Sequence, residues 1–343
     1  MNATTEIVLP GLVEPAGLQV RTRDLPAPGE GQVVLRMEAT GVSFAEQQMR
    51  RGKYYDQPPF PFVPGYDLVG TVVAVGPGTD PALRSHRFAA VTKTGAWASH
   101  LIVDAADLVP VPDGIEPAAA ETVLLNGVTA WQMLHRMAAV KRGGTIVVLG
   151  ANSGVGSLLV QLARHAGIEV IGTASARNHD AVRALGATPV DYRDPHMHAK
   201  IRELAPGGVD AVFDHVGGPG YRESWKLLRR GGTLVSYGSA ATKDEPGNGM
   251  LPVLKLFSRL MLLNVLPNGR SAKFYNVWTG KRFRATTFRA RLRDDLTQVF
   301  RLVGSGALKP QIAARIALPE AATALELAES RTVVGKVVIV PQP

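Results

Sequence analysis

The chain contains no cysteine. That absence excludes disulfides, iron–sulfur clusters, a thiolate nucleophile and any cysteine-bound zinc. An uninterrupted apolar run long enough to span a bilayer is also missing. The nearest approach, Leu251 to Leu266 (LPVLKLFSRLMLLNVL), is broken by Lys255 and Arg259 and falls short of the roughly 20 residues a spanning helix needs. It reads as a buried helix and strand, and no membrane partner is expected. The opening stretch MNATTEIVLPGLVEPAG lacks a basic segment followed by an apolar core, and Glu6 and Glu14 stand where a signal peptide would be uninterrupted, so a cytoplasmic location is expected. No internal repeat or low-complexity tract occurs. The eight histidines form no ligand cluster beyond His196-x-His198, a pair that reads as a solvated helix start.

The 343 residues present suffice for about two domains. With 45% hydrophobic and 20% charged residues, and mean hydropathy +0.05, the balance is that of a folded globular protein. The formal net charge is +9. Eight basic residues fall between Arg270 and Arg293, interleaved with Phe274, Tyr275, Trp278, Phe283 and Phe288. Such a mixture can grip single-stranded nucleic acid, but without an accompanying motif it reads as a solvated face with aromatics turned inward.

Texture changes along the chain. From Ile7 to about Leu125, short β-branched runs such as QVVLRMEATGVS and LVGTVVAVGPG are broken by Gly and Pro, which predicts a twisted, mostly antiparallel β unit. Thereafter apolar strands (TIVVLGA, EVIGTAS, VDAVFDHV, GTLVSYG) alternate with helical stretches, the pattern of a doubly wound parallel sheet covered on both faces. A further helix is predicted from Phe288 to Val303, and the closing strand KVVIV is expected to return to the first domain.

In GGTIVVLGANSGVGSLLVQLARHAG a strand enters a glycine-bearing turn that opens directly into a helix. Gly150, Gly154 and Gly156 permit a tight turn and close approach, while the helix N-terminus presents free N–H groups to a diphosphate. The next strand ends Thr173-Ala174-Ser175, followed by Arg177, without the acid that usually holds an unphosphorylated adenosine ribose. Ser175 and Arg177 suit a 2′-phosphate instead, so the expected cofactor is NADPH.

These motifs, with GVSFAEQQMRRG, PPFPFVPGYDLVGTVVAVG, LLNGVTAWQML, LGATPVDYR, FDHVGG and SRTVVGKVVI, resemble the zinc-independent quinone oxidoreductase branch of the medium-chain dehydrogenase/reductase superfamily over nearly the whole chain. The resemblance implies an α/β protein with a GroES-like β-rich catalytic domain (1–125 and 305–343), a Rossmann NADPH-binding domain (126–304), and a homodimer. Where zinc-dependent relatives carry Gly-His-Glu, this chain has Gly65-Tyr66-Asp67. It further implies Gly127 and Thr129 beside the nicotinamide, Ser153, Gly154 and Val155 at the diphosphate, and Ser175, Arg177 and Tyr192 at the adenosine phosphate, with Thr173 also binding the cofactor. Gly217, Ser236, Gly238 and Lys336 would line the remaining groove.

Ser43, Tyr54 and Thr129 are the candidate catalytic residues, with Trp97, Asn264, Tyr275 and Trp278 as candidate pocket residues. Two departures from the family pattern stand out: Gly-Val-Asn becomes Gly41-Val42-Ser43 with Glu46 in place of the usual Asp, and Ser85-His86 replaces a Gly-Asp turn. The expected reaction is hydride transfer from NADPH to a quinone or to the C=C bond of an α,β-unsaturated carbonyl. An enoyl-thioester reductase and a catalytically silent NADPH-binding regulator that contacts RNA are the alternatives.

Overall fold

Extended backbone dominates the first part of the chain, as its β-branched runs require. Strands β1 (Ala3–Val8) and β2 (Gln19–Asp24) pair antiparallel; β3 (Gln32–Gly41) leads into helix α1 (Phe44–Arg50), then β4 (Asp67–Val75), β5 (Arg87–Val91), β6 (His100–Asp104), β7 (Val109–Pro110) and helix α2 (Pro117–Trp131). A π-helical turn, Gln132–Ala138, continues α2. Next come β8 (Thr145–Val148), α3 (Gly154–His165), β9 (Glu169–Ala174), α4 (His179–Ala184), β10 (Thr188–Asp191), α5 (Met197–Leu204), β11 (Val209–Asp214), α6 (Tyr221–Lys226), β12 (Leu228–Ser236), α7 (Met250–Asn264) and β13 (Ser271–Phe274). Helix α8 (Ala285–Gly304), β14 (Ile312–Ala317), α9 (Ala321–Ser330) and β15 (Lys336–Val340) complete the chain.

This computed structural model describes residues 3–217, 220–238, 250–330 and 332–342. They divide into two units: 1–128 with 280–306 and 310–343, and 129–279 with 307–309.

The first unit is built on a seven-stranded sheet, β14-β15-β3-β4-β5-β7, with β6 also paired to β3. Its core gathers Ile7, Leu35, Met37, Leu68, Trp97, Leu325 and Ile339, all essentially inaccessible. The predicted return of KVVIV is seen in β15, which pairs antiparallel with β3. Helix α8 also belongs here, whereas the sequence reading put residues up to 304 in the nucleotide-binding domain. Its apolar stripe, Phe288, Leu292, Leu296 and Val299, is buried, and Arg289 Nε donates to Asp107 Oδ1 at 2.6 Å.

The second unit is an all-parallel six-stranded sheet in the order β10-β9-β8-β11-β12-β13. The chain winds outward from β8 in one direction and from β11 in the other, so the topological switch falls between these two strands. Leu256 and Leu260 anchor α7 to this core. The segment 251–266 is not the buried helix expected from its composition: Leu254 is 58% exposed, Met261 57%, Leu262 68% and Val265 77%. Among the described residues, no helix is long and apolar enough to cross a membrane.

Candidate active site

In the second unit, the expected cofactor residues gather at the C-terminal ends of the parallel strands. Gly150, in the turn that follows β8, has φ +70°, and a Cβ there would lie 2.5 Å from the His215 ring. A Cβ on Gly156 would meet the Gly150 carbonyl oxygen at 2.2 Å. The turn is held by Thr173, whose hydroxyl accepts from Gly150 N at 3.0 Å and whose carbonyl accepts from Ala151 N at 2.9 Å. Ser153 caps α3 by accepting from Gly156 N at 3.0 Å, so Gly154 and Val155 open a helix whose first N–H groups and dipole favour an anion.

Across the switch point, Asp214 shapes the turn after β11 by accepting from Val216 N (2.8 Å) and Gly217 N (2.9 Å). Burial raises the Asp214 pKa, and these backbone donors work against that rise. Gly217 has φ +63°, and a Cβ on Gly238 would press on the His215 carbonyl at 2.6 Å. Beside them the buried hydroxyl oxygens of Ser236 and Tyr237 have no partner among the described residues. Buried polar atoms of this kind, together with a backbone that leaves no room for Cβ atoms, fit a bound dinucleotide.

At the end of β9, Ser175 is buried and its hydroxyl accepts from Asn178 Nδ2 at 3.2 Å, while Arg177 is exposed. Tyr192, 53% exposed, is brought alongside by pairing of Asp191 with Ala174 and by its own N–H donating to Ala174 O at 3.2 Å. Ser175, Arg177 and Tyr192 thus form one corner in which β9 ends without a carboxylate, while Asp191 at the end of β10 accepts from Arg193 N at 2.9 Å. Tyr275 donates to Gln132 Oε1 at 3.0 Å, and Asn264 bonds the β13 backbone at Ala272 in both directions.

The first unit holds a second constellation. Ser43 caps α1, and Glu46 reaches back so that Oε2 accepts from Ser43 N at 2.9 Å and touches Ser43 Oγ. The other oxygen, Oε1, accepts from Tyr66 N at 2.7 Å. The Tyr66 hydroxyl lies 2.7 Å from that of Tyr54, which is 8% exposed. Burial, then the neighbouring Tyr66, holds the Tyr54 phenol far above its ordinary range. Next along β4, Asp67 faces Lys336 at 3.3 Å, and the same ammonium contacts Glu121 Oε1 of α2.

Lys336 is therefore engaged by two buried carboxyls of its own unit. Gly127 is close-packed, since a Cβ there would meet Val299 at 2.9 Å. Thr129 is 7% exposed, and Trp97 is fully buried with its indole N–H on Gly41 O. Sequence reasoning missed the roles of Tyr66, Asp67, Glu121 and Asp214. Lys336 reaches Asp67 and Glu121 from 269 and 215 residues away, and Tyr66 meets Tyr54 across an irregular loop, whereas Asp214 is held by backbone donors two and three residues on. The described residues contain no group of three His, Asp or Glu side chains that could hold a metal.

Comparison with known proteins decides the family. Residues 29–113 match the alcohol dehydrogenase GroES-like domain and residues 185–339 the zinc-binding dehydrogenase model. Over 332 residues the chain is 30% identical to the human synaptic vesicle membrane protein VAT-1 homolog, covering 95% of this chain and 83% of that one. The chain belongs to the medium-chain dehydrogenase/reductase superfamily. It is an oxidoreductase of that type.

Within the superfamily, the solved structure of a mycobacterial quinone oxidoreductase matches with TM-score 0.82 and 30% identity, covering 98% of this chain and 100% of the other. A mycobacterial structure described as complexed with NADPH matches with TM-score 0.83 and 28% identity over the same shares. A mycocerosic acid synthase-like polyketide synthase of Mycobacterium tuberculosis is 29% identical over 329 residues, 94% of this chain but 15% of the synthase.

Proposed function

We propose that this medium-chain oxidoreductase binds NADPH and, without zinc, delivers its hydride to a quinone or to the C=C bond of an α,β-unsaturated carbonyl. One observation carries the reading: the glycine turn at α3 and the corner of Ser175, Arg177 and Tyr192, where β9 ends without an acid, lie at the C-terminal ends of adjacent parallel strands. The first suits a diphosphate and the second a ribose 2′-phosphate. The similar mycobacterial structures, one a quinone oxidoreductase and one holding NADPH, support it.

When bound, the cofactor supplies the two electrons. The chain's own residues bind it, orient it and provide hydrogen bonds to the oxygen on which charge develops. Ser43, Tyr54 and Thr129 are the side chains assigned to that work. The test is consumption of NADPH absorbance with a panel of quinones and enones, compared with NADH. Binding of neither reduced nicotinamide would end the proposal.

Similarity to a polyketide synthase segment favours one second reading, in which the electrophile is an enoyl thioester. Turnover confined to acyl thioesters would select it. The protein is further proposed to work as a cytoplasmic homodimer. A second copy would cover the exposed apolar side of α7 and extend the sheet at β13, whose outer edge pairs with no strand among the described residues.

A further inference from the structure

We infer that Glu46 and Ser43 form a proton relay, in which Ser43 Oγ protonates the carbonyl oxygen of the substrate as hydride arrives and Glu46 restores the Ser43 proton. The inference rests on the oxidoreductase reading above and adds the source of the proton, which that reading leaves open.

Glu46 is 2% exposed, whereas Ser43 is half-buried, so the serine hydroxyl bridges an interior carboxyl and a more accessible surface. Both Glu46 oxygens are fixed by backbone donors, Ser43 N at 2.9 Å and Tyr66 N at 2.7 Å, and Oε2 also contacts Ser43 Oγ. Ala45 N donates to the same hydroxyl oxygen at 3.1 Å. Ser43 Oγ thus accepts from Ala45 N and donates to Glu46 Oε2, so the same contact carries a proton between carboxyl and hydroxyl, and the serine hydrogen turns to the substrate when Glu46 is the protonated partner.

Glu46 faces Asp67 of β4 and Lys336 of β15, and Glu121 of α2 closes on Lys336 from its other side. Two buried carboxyls thus contact a single ammonium, with Glu46 a third buried carboxyl near enough to feel their charge. Full ionisation would leave two uncompensated negative charges in a dry interior, which is costly enough that protons are retained instead. Burial raises the Glu46 pKa, and Asp67 adds to the rise. An amide at position 43 could hydrogen-bond a substrate but could not pass a proton on; a hydroxyl does both.

The step balances. Hydride from the reduced nicotinamide adds to the β-carbon, the C=C electron pair shifts, and the carbonyl becomes an enolate. The Ser43 O–H bond breaks to give the enol, the Glu46 O–H bond breaks to reprotonate Ser43, and water returns a proton to Glu46. The enol then tautomerises in solution to the saturated carbonyl.

The test compares the full-length wild type with Ser43→Ala, Ser43→Asn, Ser43→Thr and Glu46→Gln. Asn preserves the helix cap but not the hydroxyl, whereas Thr preserves both. With an enone and NADPH, wild-type kcat should fall as pH rises through the Glu46 titration. Ser43→Asn, Ser43→Ala and Glu46→Gln should lose about 100-fold in kcat and give flat pH profiles with KM for NADPH little changed, and Ser43→Thr should keep the falling limb. In the cofactor-free protein, the infrared carbonyl band of a buried protonated carboxyl should be lost in Glu46→Gln. If the wild type reduces enones but Ser43→Asn and Glu46→Gln keep its rate and pH profile, the relay is wrong and the oxidoreductase reading stands. A wild type inert to every quinone and enone sinks both.

Discussion

Tyr54 and Tyr66 meet hydroxyl to hydroxyl at 2.7 Å, with their rings edge to face at 83°. Tyr66 stands where zinc-dependent relatives carry a histidine ligand, so in this chain the position holds a phenol bonded to a second phenol. Each hydroxyl loses this contact if the other is removed, and a hydrogen bond of this kind contributes about 0.5–1.5 kcal/mol. Tyr54→Phe and Tyr66→Phe should each destabilise the protein by roughly that amount. The double variant should cost less than the two together, by about 1 kcal/mol in a urea-unfolding cycle. Strict additivity would show that the two hydroxyls do not support one another.

Cofactor choice should turn on the Ser175 corner. Ser175→Asp places a carboxylate where a 2′-phosphate is expected and restores the ribose partner that the strand end lacks. NADPH affinity should drop by about 10–100-fold while NADH affinity rises, and Arg177→Ala should weaken NADPH by a similar factor with little effect on NADH. Calorimetric titration with both nucleotides checks this. Equal changes for the two would remove the corner from the phosphate site.

Much of this architecture could be read from local pattern. The glycine turn between TIVV and GVGSLLVQLARH, the acid-free end of EVIGTA and the return of KVVIV to the first unit all appear where periodicity and turn chemistry put them. What escaped was tertiary. The resemblance sets Lys336 at the cofactor groove, but its contacts with Asp67 and Glu121, 269 and 215 residues away, could not be read from local pattern. Helix α8 reads as the end of the nucleotide-binding domain, but its apolar stripe and the Arg289–Asp107 pair bind it to the first unit. Composition made α7 appear buried because hydropathy cannot distinguish a core helix from one whose apolar side faces outward. Phe283, expected to turn inward with its neighbours, is 86% exposed.

The exposed side of α7 yields a prediction about assembly. Leu262 on α7 and Val265 just past its end continue a surface that also exposes Leu254 and Met261, a larger apolar display than a solitary chain usually maintains. Leu262→Glu and Val265→Glu together should shift the molecular mass in light scattering from dimer to monomer. They should leave the melting temperature of the monomer's own fold nearly unchanged, because neither side chain packs into the core. A wild type that is monomeric at every concentration would refute the assignment of a second copy to this surface.

The buried ion cluster of the first unit should make stability depend on pH with a definite sign. Burial pushes the Glu121 carboxyl up to about 8, against the pull of Lys336, and the Lys336 ammonium is itself held above its usual range by Asp67 and Glu121 against the effect of burial. Because the folded-state pKa of Glu121 exceeds its unfolded value, the folded chain binds more protons between the two. The resulting stabilisation is complete below the unfolded carboxylate range and is lost as pH rises through about 8. Glu46, also raised, contributes with the same sign. Lys336 acts in the opposite pH region, since its contribution is retained until the solution becomes strongly alkaline. The wild-type melting temperature should therefore decline from mildly acidic to mildly alkaline buffer, and Glu121→Gln should flatten that decline. Glu121→Gln removes the titrating group and keeps the side chain's shape, so an unchanged slope in this variant would place the pH sensitivity outside the cluster.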